Sequence, residues 1–151
     1  MLKGIASYVI SLFEFLVPER WLHKKLFVKS AEFDKVLFDD NCKWISFRFE
    51  IENLDPHINC VTRADFFSGR NRLDRKIYLP SMLPGTVKVR NLPIMIPKNG
   101  SKIIIFSCRF PKSEIVGGIR YDLTDNWENG YKGFVNIPEE RKDLYSDALN
   151  V

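Results

Sequence analysis

Apolar and polar residues alternate along residues 44–52 almost without interruption. An extended strand turns successive side chains to opposite faces, so this pattern places one row against a core and the other against water. The apolar row is Ile45, Phe47, Phe49 and Ile51, and the polar row is Ser46, Arg48, Glu50 and Glu52. The stretch therefore predicts a half-buried β-strand.

Similar runs recur to about residue 137 and are separated by residues that favour turns. Residues 53–56 predict a turn, and Asn99-Gly100 and Asn129-Gly130 are the strongest hairpin signals in the chain. Short strands without helical periods between them favour packed antiparallel sheets over a parallel α/β sheet. The predicted strands cover residues 26–33, 44–53, 58–67, 76–79, 86–91, 102–110, 116–123 and 132–137. We therefore predict an all-β fold, an antiparallel β-sandwich.

The order of these features resembles that of immunoglobulin-like β-sandwich modules over roughly residues 40–112. A strand that ends at an Asn-containing turn, residues 47–53, precedes a paired strand. A later connection, residues 92–100 with the sequence Leu-Pro-Ile-Met-Ile-Pro-Lys-Asn-Gly, leads into a strongly apolar strand. The resemblance implies an immunoglobulin-like fold and carries no functional residues with it.

Residues 4–17 have the pattern of an amphipathic helix that ends before Pro18. Its polar positions form one narrow stripe, and the rest of its surface is apolar. The run is too short to span a membrane, and no small-residue cleavage site follows it, so we expect neither a spanning helix nor a signal peptide. Two alternatives remain: packing on protein (the sandwich or a second copy) or lying in a membrane interface. The predicted attachment residues are Phe13, Leu16, Trp21, Lys24 and Lys25.

Length and composition are consistent with one folded domain with short additions at both ends. The chain has 151 residues, of which 45% are hydrophobic and 28% charged, a balance ordinary for globular proteins. Pro138 and the acidic residues after it predict a short C-terminal helix. The predicted organisation is an N-terminal helix at 1–25, a β-sandwich at 26–137 and a C-terminal helix or tail at 138–151.

Positive charge is concentrated in the middle of the chain. Residues 63–112 hold eleven Lys and Arg residues against two acidic residues, whereas the whole chain has a net charge of +4. Such a block predicts a surface that faces an anionic partner, such as nucleic acid or an anionic membrane, with a solvated face as the simpler alternative. The predicted anion-binding or partner-binding residues are Arg70, Arg72, Arg75, Lys76, Lys88 and Arg90.

Candidate catalytic and metal-binding residues are few. Asp55, His57 and Cys60 place a carboxylate, an imidazole and a thiol within six residues, but a thiol inside an apolar strand is normally inert. Residues 122–130 are rich in oxygen ligands without the spacing of a calcium-binding loop, and they read better as a polar hairpin. Cys60 and Cys108 both fall in predicted strands, and we expect them to be unpaired thiols rather than a disulfide. We therefore predict no catalytic residues, metal or cofactor.

The sequence favours a non-enzymatic binding module over an enzyme. We expect the N-terminal helix to attach it to a protein partner, a second subunit in a homo-oligomer, or a membrane surface. The residue 68–76 loop and the edge strands would then provide the recognition surface. Alternatives are a nucleic-acid-binding protein that uses the basic 63–112 region and, less favoured, a small hydrolase-like enzyme. The expected location is the cytoplasm, either free or at the periphery of a membrane.

Overall fold

The computed structural model describes residues 25–80 and 87–138, and all of its regular structure is β-strand. The predicted helices therefore lie outside the described residues, apart from Lys25 and Pro138 at their borders. The strands are β1 (Leu26–Phe38), β2 (Cys42–Asn53), β3 (Asn59–Ser68), β4 (Asn71–Arg72), β5 (Arg75–Pro80), β6 (Val87–Arg90), β7 (Ile94–Ile96), β8 (Ser101–Pro111), β9 (Gly118–Asp125) and β10 (Gly130–Asn136). The all-β prediction is confirmed.

Two antiparallel sheets pack against each other as a sandwich. Sheet 1 has the strand order β1-β2-β8-β5-β6, and sheet 2 has the order β10-β9-β3-β4, with β7 also paired to β3. Consecutive long strands often lie in different sheets, since the chain crosses from β2 to β3 and from β8 to β9. The core lies between the sheets.

Aromatic side chains from both sheets fill the centre of the core. Phe49 of β2 makes edge-on contacts with Phe66, Phe106 and Tyr121, at ring-centroid distances of 6.0, 5.2 and 5.0 Å. Edge-to-face pairs of this kind add about 0.5–1.5 kcal/mol each beyond simple burial. The apolar row predicted along residues 45–51 is fully buried here, which confirms the orientation assigned to β2.

Strand β1 continues five residues beyond its predicted end at residue 33. Its pairing with β2 shifts register between Val28 and Ser30 and again between Phe33 and Lys35, so two β-bulges interrupt its alternation. Each inserted residue reverses the face to which later side chains point. A prediction based on a two-residue period therefore ends the strand too early, although Val36 still packs on the core.

The two Asn-Gly signals have different outcomes. Asn129-Gly130 closes a hairpin between β9 and β10, as predicted, although the positive φ falls on Glu128 at 63°. Asn99-Gly100 forms a turn, with Asn99 at a φ of 50°, but the expected hairpin is absent because β7 pairs with β3 and β8 pairs with β2 and β5. This turn instead carries the chain from one sheet to the other.

The predicted loop over residues 68–76 is mostly regular structure. Asn71 and Arg72 pair with the end of β3 around a tight turn at Gly69, which has a φ of 60°. Arg75 already belongs to β5. The basic residues of this stretch are therefore distributed over a turn and two strands.

Candidate functional site on the outer face of sheet 1

The outer face of sheet 1 carries a cluster of apolar side chains that points away from the core. One cross-strand row runs from Glu32 through Arg48, Ile105 and Tyr78 to Val89, whose side chain is 68% exposed. Neighbours in such a row lie about 5 Å apart, so these side chains form one continuous surface. We call the apolar members the apolar patch: Leu37, Trp44, Tyr78, Val89, Ile103 and Ile105.

Two buried hydroxyl groups lie within this outer face. Ser46 of β2 and Ser107 of β8 are directly opposite in register, their Oγ atoms are 2.6 Å apart, and each residue is only 2% exposed. They line a small dent of about 110 Å³ whose walls include Leu37, Tyr78 and Ile105. The polar row predicted to face water is therefore buried at its centre, where Lys35, Leu37, Tyr78 and Ile105 surround the two serines.

An open groove with three cations adjoins the apolar patch. The pairing of β5 with β8 ends at Tyr78 and Ile105, and the next outward residue of β5 is Pro80, which has no N–H to offer a ladder. The two strands separate beyond this point and leave a groove of about 620 Å³. Its lining residues are Glu50, Leu79, Pro80, Lys88, Arg90, Ser101, Lys102 and Ile103. The lining therefore contains three cations and one carboxylate, Glu50, whose Oε1 lies 3.8 Å from Lys29 Nζ.

Lys88 and Arg90 share a face of β6. They are in register with Leu79 and Ile77, so they point to the core side of sheet 1, while Val89 points outward. Both cations are exposed because β6 is the edge strand. Their aliphatic stems can extend apolar surface while the charged ends reach solvent.

The other four predicted cations have separate environments. Arg70 lies exposed in the turn after β3, and Arg72 forms an ion pair with Asp65 at 2.5 Å. The Nε of Arg75 donates a hydrogen bond to the carbonyl of Ala64 at 2.6 Å, which ties β5 to sheet 2. The Nζ of Lys76 lies 4.4 Å from the ring centroid of Trp44, a cation–π contact on the outer face of sheet 1. The structure thus brings Lys88 and Arg90 together, with Lys102 as a third member.

The outer face of sheet 2 is organised differently. Asp65 lies within 3.5 Å of Arg63 and 2.5 Å of Arg72, and Lys132 lies 3.9 Å from Asp122. The guanidinium of Arg120 stacks over Phe67 at 4.7 Å. Among the described residues, charges of this face are therefore largely matched by partners on the same face.

Most of the predicted attachment residues lie outside the described residues: Phe13, Leu16, Trp21 and Lys24. Lys25 is the first residue described, and its side chain is exposed. Its backbone carbonyl accepts a hydrogen bond from the N–H of Leu54 at 2.9 Å. The N-terminal segment therefore enters sheet 1 at the start of its edge strand, beside the turn that follows β2.

The residues considered for catalysis have local structural contacts. Asp55 is buried, and its Oδ1 accepts a hydrogen bond from the backbone N–H of His57 at 3.0 Å, as in an Asx turn. His57 is exposed, and Cys60 is half-buried on β3 opposite Met95. Cys42, Cys60 and Cys108 are all free thiols.

The oxygen-rich stretch at residues 122–130 is held by one buried carboxylate. Asp125 accepts hydrogen bonds from the backbone N–H groups of Trp127 and Asn129 at 2.8 and 2.9 Å, and from the hydroxyl of Tyr131 at 2.7 Å. This network organises the β9–β10 hairpin, as the polar-hairpin interpretation predicted. Across the described ranges, no group of three or more His, Cys, Asp or Glu residues is arranged to hold a metal ion.

Burial shifts the pKa of several interior groups. It raises the pKa of the Cys108 thiol from 9.0 to about 12, against an opposing effect of the Arg75 charge. It also raises the pKa of Tyr131, and the hydrogen bond to Asp125 adds to that rise. Lys43 is completely buried, and burial lowers its pKa, while the charge of Glu114 opposes the change. Its Nζ donates a hydrogen bond to the backbone carbonyl of Glu114, so this buried cation anchors the loop after β8.

Sequence reasoning missed the dent and the apolar patch. The available signal was a small polar residue, Ser46 or Ser107, at the centre of each of two long apolar strands. Alternation assigns both serines to the outer face but does not reveal that they are opposite each other. That pairing depends on the register between β2 and β8, which are separated by 47 residues of chain.

Comparisons with known proteins identify no relative from which a function could be inferred. The chain matches no protein-family model and no curated protein. Within residues 25–80 and 87–138, no helix has the length and apolar character needed to cross a membrane.

Proposed function

We propose that this chain is a non-enzymatic binding module built on an immunoglobulin-like sandwich. Its seven longest strands are β1, β2, β3, β5, β8, β9 and β10. Labelled A to G in chain order, they pair as A-B-E-D in one sheet and G-F-C in the other, the arrangement of a constant-type immunoglobulin domain. This order supports the immunoglobulin-like assignment, with β4, β6 and β7 as additions.

The module attaches through its N-terminal helix, residues 1–25, to a partner protein, a second subunit or a membrane surface. It recognises an anionic group of that partner through the groove beside β6. The observation that carries this proposal is the clustering of Lys88, Arg90 and Lys102 around one open groove with a single carboxylate, Glu50. Cations around an open cleft raise the local concentration of anions and speed their association.

Co-sedimentation with liposomes tests both parts of this proposal. The 151-residue chain is compared with a chain that begins at Lys25, which keeps the hydrogen bond between the Lys25 carbonyl and the N–H of Leu54. We expect the full chain to pellet, more strongly with anionic than with neutral lipid, and the shortened chain to remain in solution. If neither pellets, the attachment is to protein and not to lipid.

A charge-reversal pair tests the groove. Lys88→Glu combined with Arg90→Glu is expected to reduce anion-dependent binding at least tenfold at low salt. Lys98→Glu combined with Lys112→Glu makes the same change of net charge outside the groove and is the matched control. Equal losses in the two proteins would show that net charge alone matters and would contradict the groove assignment.

Nucleic acid is the second candidate partner, and the same groove favours it. Neutralisation of phosphates by three cations predicts an affinity that falls steeply with salt. Fluorescence anisotropy with labelled single-stranded and duplex DNA, measured across a salt series, distinguishes this alternative. Binding that survives Lys88→Glu with Arg90→Glu would exclude the groove as the nucleic-acid site.

A further inference from the structure

We propose that residues 4–17 of the same chain pack on the outer face of sheet 1, over the apolar patch, in the free protein. This inference concerns the chain before it meets any partner, and it stands independently of the groove. Three observations support it: the apolar character of the patch, the entry point of the N-terminal segment, and the length of the tether.

The apolar patch is a strong candidate for a covered surface. Leu37 on β1 is 53% exposed and Val89 on β6 is 68% exposed, and half-buried Tyr78 and Ile105 lie on the strands between them. Contiguous apolar surface of this kind on a soluble domain generally marks an interaction site. On the outer face of sheet 2, ion pairs occupy the centre, and Arg120 lies between its aromatic residues Phe67 and Phe134 in the cross-strand row.

The N-terminal segment has a matching surface. In a helix over residues 4–17, Ile5, Val9, Leu12 and Leu16 fall opposite the polar stripe of Lys3, Ser7, Ser11 and Glu14. Such a helix is about 21 Å long at 1.5 Å per residue. Five strands at a spacing of roughly 4.8 Å make a sheet about 19 Å across, so helix and sheet are matched in size.

The tether allows this contact without strain. Residues 18–25 can extend over roughly 26 Å. Tyr78 lies three strand spacings, about 14 Å, across the sheet from β1, and its row lies five residues, about 17 Å, along the strands from Leu26. The direct span is therefore about 22 Å, which the tether can cover. β1 starts at the same end of sheet 1 as β8 does, since Leu26 pairs with Asn53 and Glu52 pairs with Ser101. A short tether gives an effective concentration in the millimolar range, which favours contact within one chain over contact between chains.

A double-mutant cycle in the full chain tests the contact. Leu16→Glu on the helix and Ile105→Glu on the sheet are each expected to destabilise the protein. The equilibrium constant for unfolding, measured in urea, should rise by about 10- to 100-fold in each variant, the value of one lost apolar side chain. Because each change removes the same contact, Leu16→Glu should have little further effect when Ile105→Glu is already present.

Two control variants separate contact from added charge. Ser11→Glu adds the same charge on the polar stripe and is expected to leave stability unchanged. Phe134→Glu adds it to the outer face of sheet 2, and its effect should be additive with that of Leu16→Glu. Additive effects of Leu16→Glu and Ile105→Glu, or a Leu16→Glu protein as stable as wild type, would overturn the proposal. If Leu16→Glu leaves stability unchanged but abolishes liposome binding, the packing proposal fails, whereas the proposal of membrane attachment through residues 1–25 is supported.

Photocrosslinking gives a second readout that does not depend on destabilised variants. Val89→p-benzoyl-phenylalanine places the probe on an exposed side chain of the patch. At low protein concentration we expect a crosslink within one chain to a peptide from residues 4–17, and none from the same probe at Phe134. A crosslink to the C-terminal segment, or one that appears only in a dimer, would overturn the proposal.

Discussion

At the scale of single residues, burial decides the behaviour of the interior polar groups. Asp125, Cys108 and Lys43 are all nearly inaccessible, but they are accommodated differently. Asp125 has several hydrogen-bond donors around it, Lys43 binds a loop carbonyl, and Cys108 stays protonated in an apolar environment. Each makes a distinct contribution to stability.

Asp125→Ala should destabilise the fold substantially. The change leaves the backbone N–H groups of Trp127 and Asn129 and the Tyr131 hydroxyl without this acceptor, and buried unsatisfied donors cost about 1–3 kcal/mol each. We expect a loss of about 3 kcal/mol in the free energy of unfolding, measured with urea. Asp122→Ala, which removes only a 3.9 Å surface ion pair, is the matched control and should cost under about 0.5 kcal/mol.

Cys108 should make the protein less stable at alkaline pH. Its pKa is raised on folding from 9.0 to about 12, so between these values the unfolded chain loses a proton that the folded chain keeps. Stability from this group is complete below pH 9 and is lost as the pH rises, by about 1.4 kcal/mol per pH unit.

The measurement is urea unfolding of wild type and Cys108→Val from pH 8 to 11. The other groups titrate equally in both proteins, so the difference in free energy isolates the thiol. The free energy of unfolding of wild type should fall with rising pH relative to that of Cys108→Val, until the difference disappears or changes sign. Parallel curves would show that the thiol has the same pKa in both states.

At the scale of elements, the β9–β10 hairpin depends on close approach as well as on turn chemistry. Gly133 lies opposite Tyr121, whose ring covers the position that a Cβ would occupy. The same ring makes the edge-on contact with Phe49 at the centre of the core. The absence of a side chain at Gly133 therefore allows the Tyr121 ring of the neighbouring strand to lie against the backbone of residue 133.

Gly133→Ala should disturb this packing. A methyl group at residue 133 would overlap the Tyr121 ring and displace it from Phe49, at a cost of about 1–3 kcal/mol for an overpacked site. Gly130→Ala is the matched control, because its nearest neighbour is Asp122 Oδ1 at an ordinary 3.9 Å. Thermal unfolding followed by near-ultraviolet circular dichroism would report both stability and the Tyr121 environment. Equal melting temperatures for the two variants would contradict the close-approach argument.

At the scale of the whole molecule, the two outer faces have different properties. The outer face of sheet 2 presents matched charges, whereas that of sheet 1 presents the apolar patch and the dent above Ser46 and Ser107. The groove with three cations lies next to this face, beside the edge strand β6. The outer face of sheet 1 therefore offers the exposed apolar surface that the proposed binding function requires. Its edge strands, β1 and β6, border that face on both sides.

High salt should weaken recognition by the groove while leaving the fold intact. Surface attractions beyond about 10 Å are screened at 0.1 M salt, whereas apolar burial is not weakened. We expect binding of anionic liposomes by the full chain to fall several-fold between 50 and 300 mM NaCl, without a fall in melting temperature. Binding that is independent of salt would assign recognition to apolar contacts alone.

Local sequence determined the strands, their faces and most of the turns. Side-chain alternation is a property of the extended backbone itself. The buried face of residues 45–51 can therefore be predicted without knowing which strands pair with β2. The pattern failed where an element departs from strict alternation, as at the bulges of β1, and where a strand is too short to have a period, as in β4 and β7. The concentration of basic residues in the middle of the chain was equally visible.

Only the tertiary structure decided which of those basic residues act together. Arg72 and Arg75 are engaged by Asp65 and by the Ala64 carbonyl, while Lys88, Arg90 and Lys102 meet at one groove. Strand order and register bring distant residues to within a few ångströms, and they depend on how the whole chain packs. The burial of Ser46 and Ser107 has the same origin, since two positions that look solvent-facing one strand at a time become covered once β1, β2, β8 and β5 lie side by side.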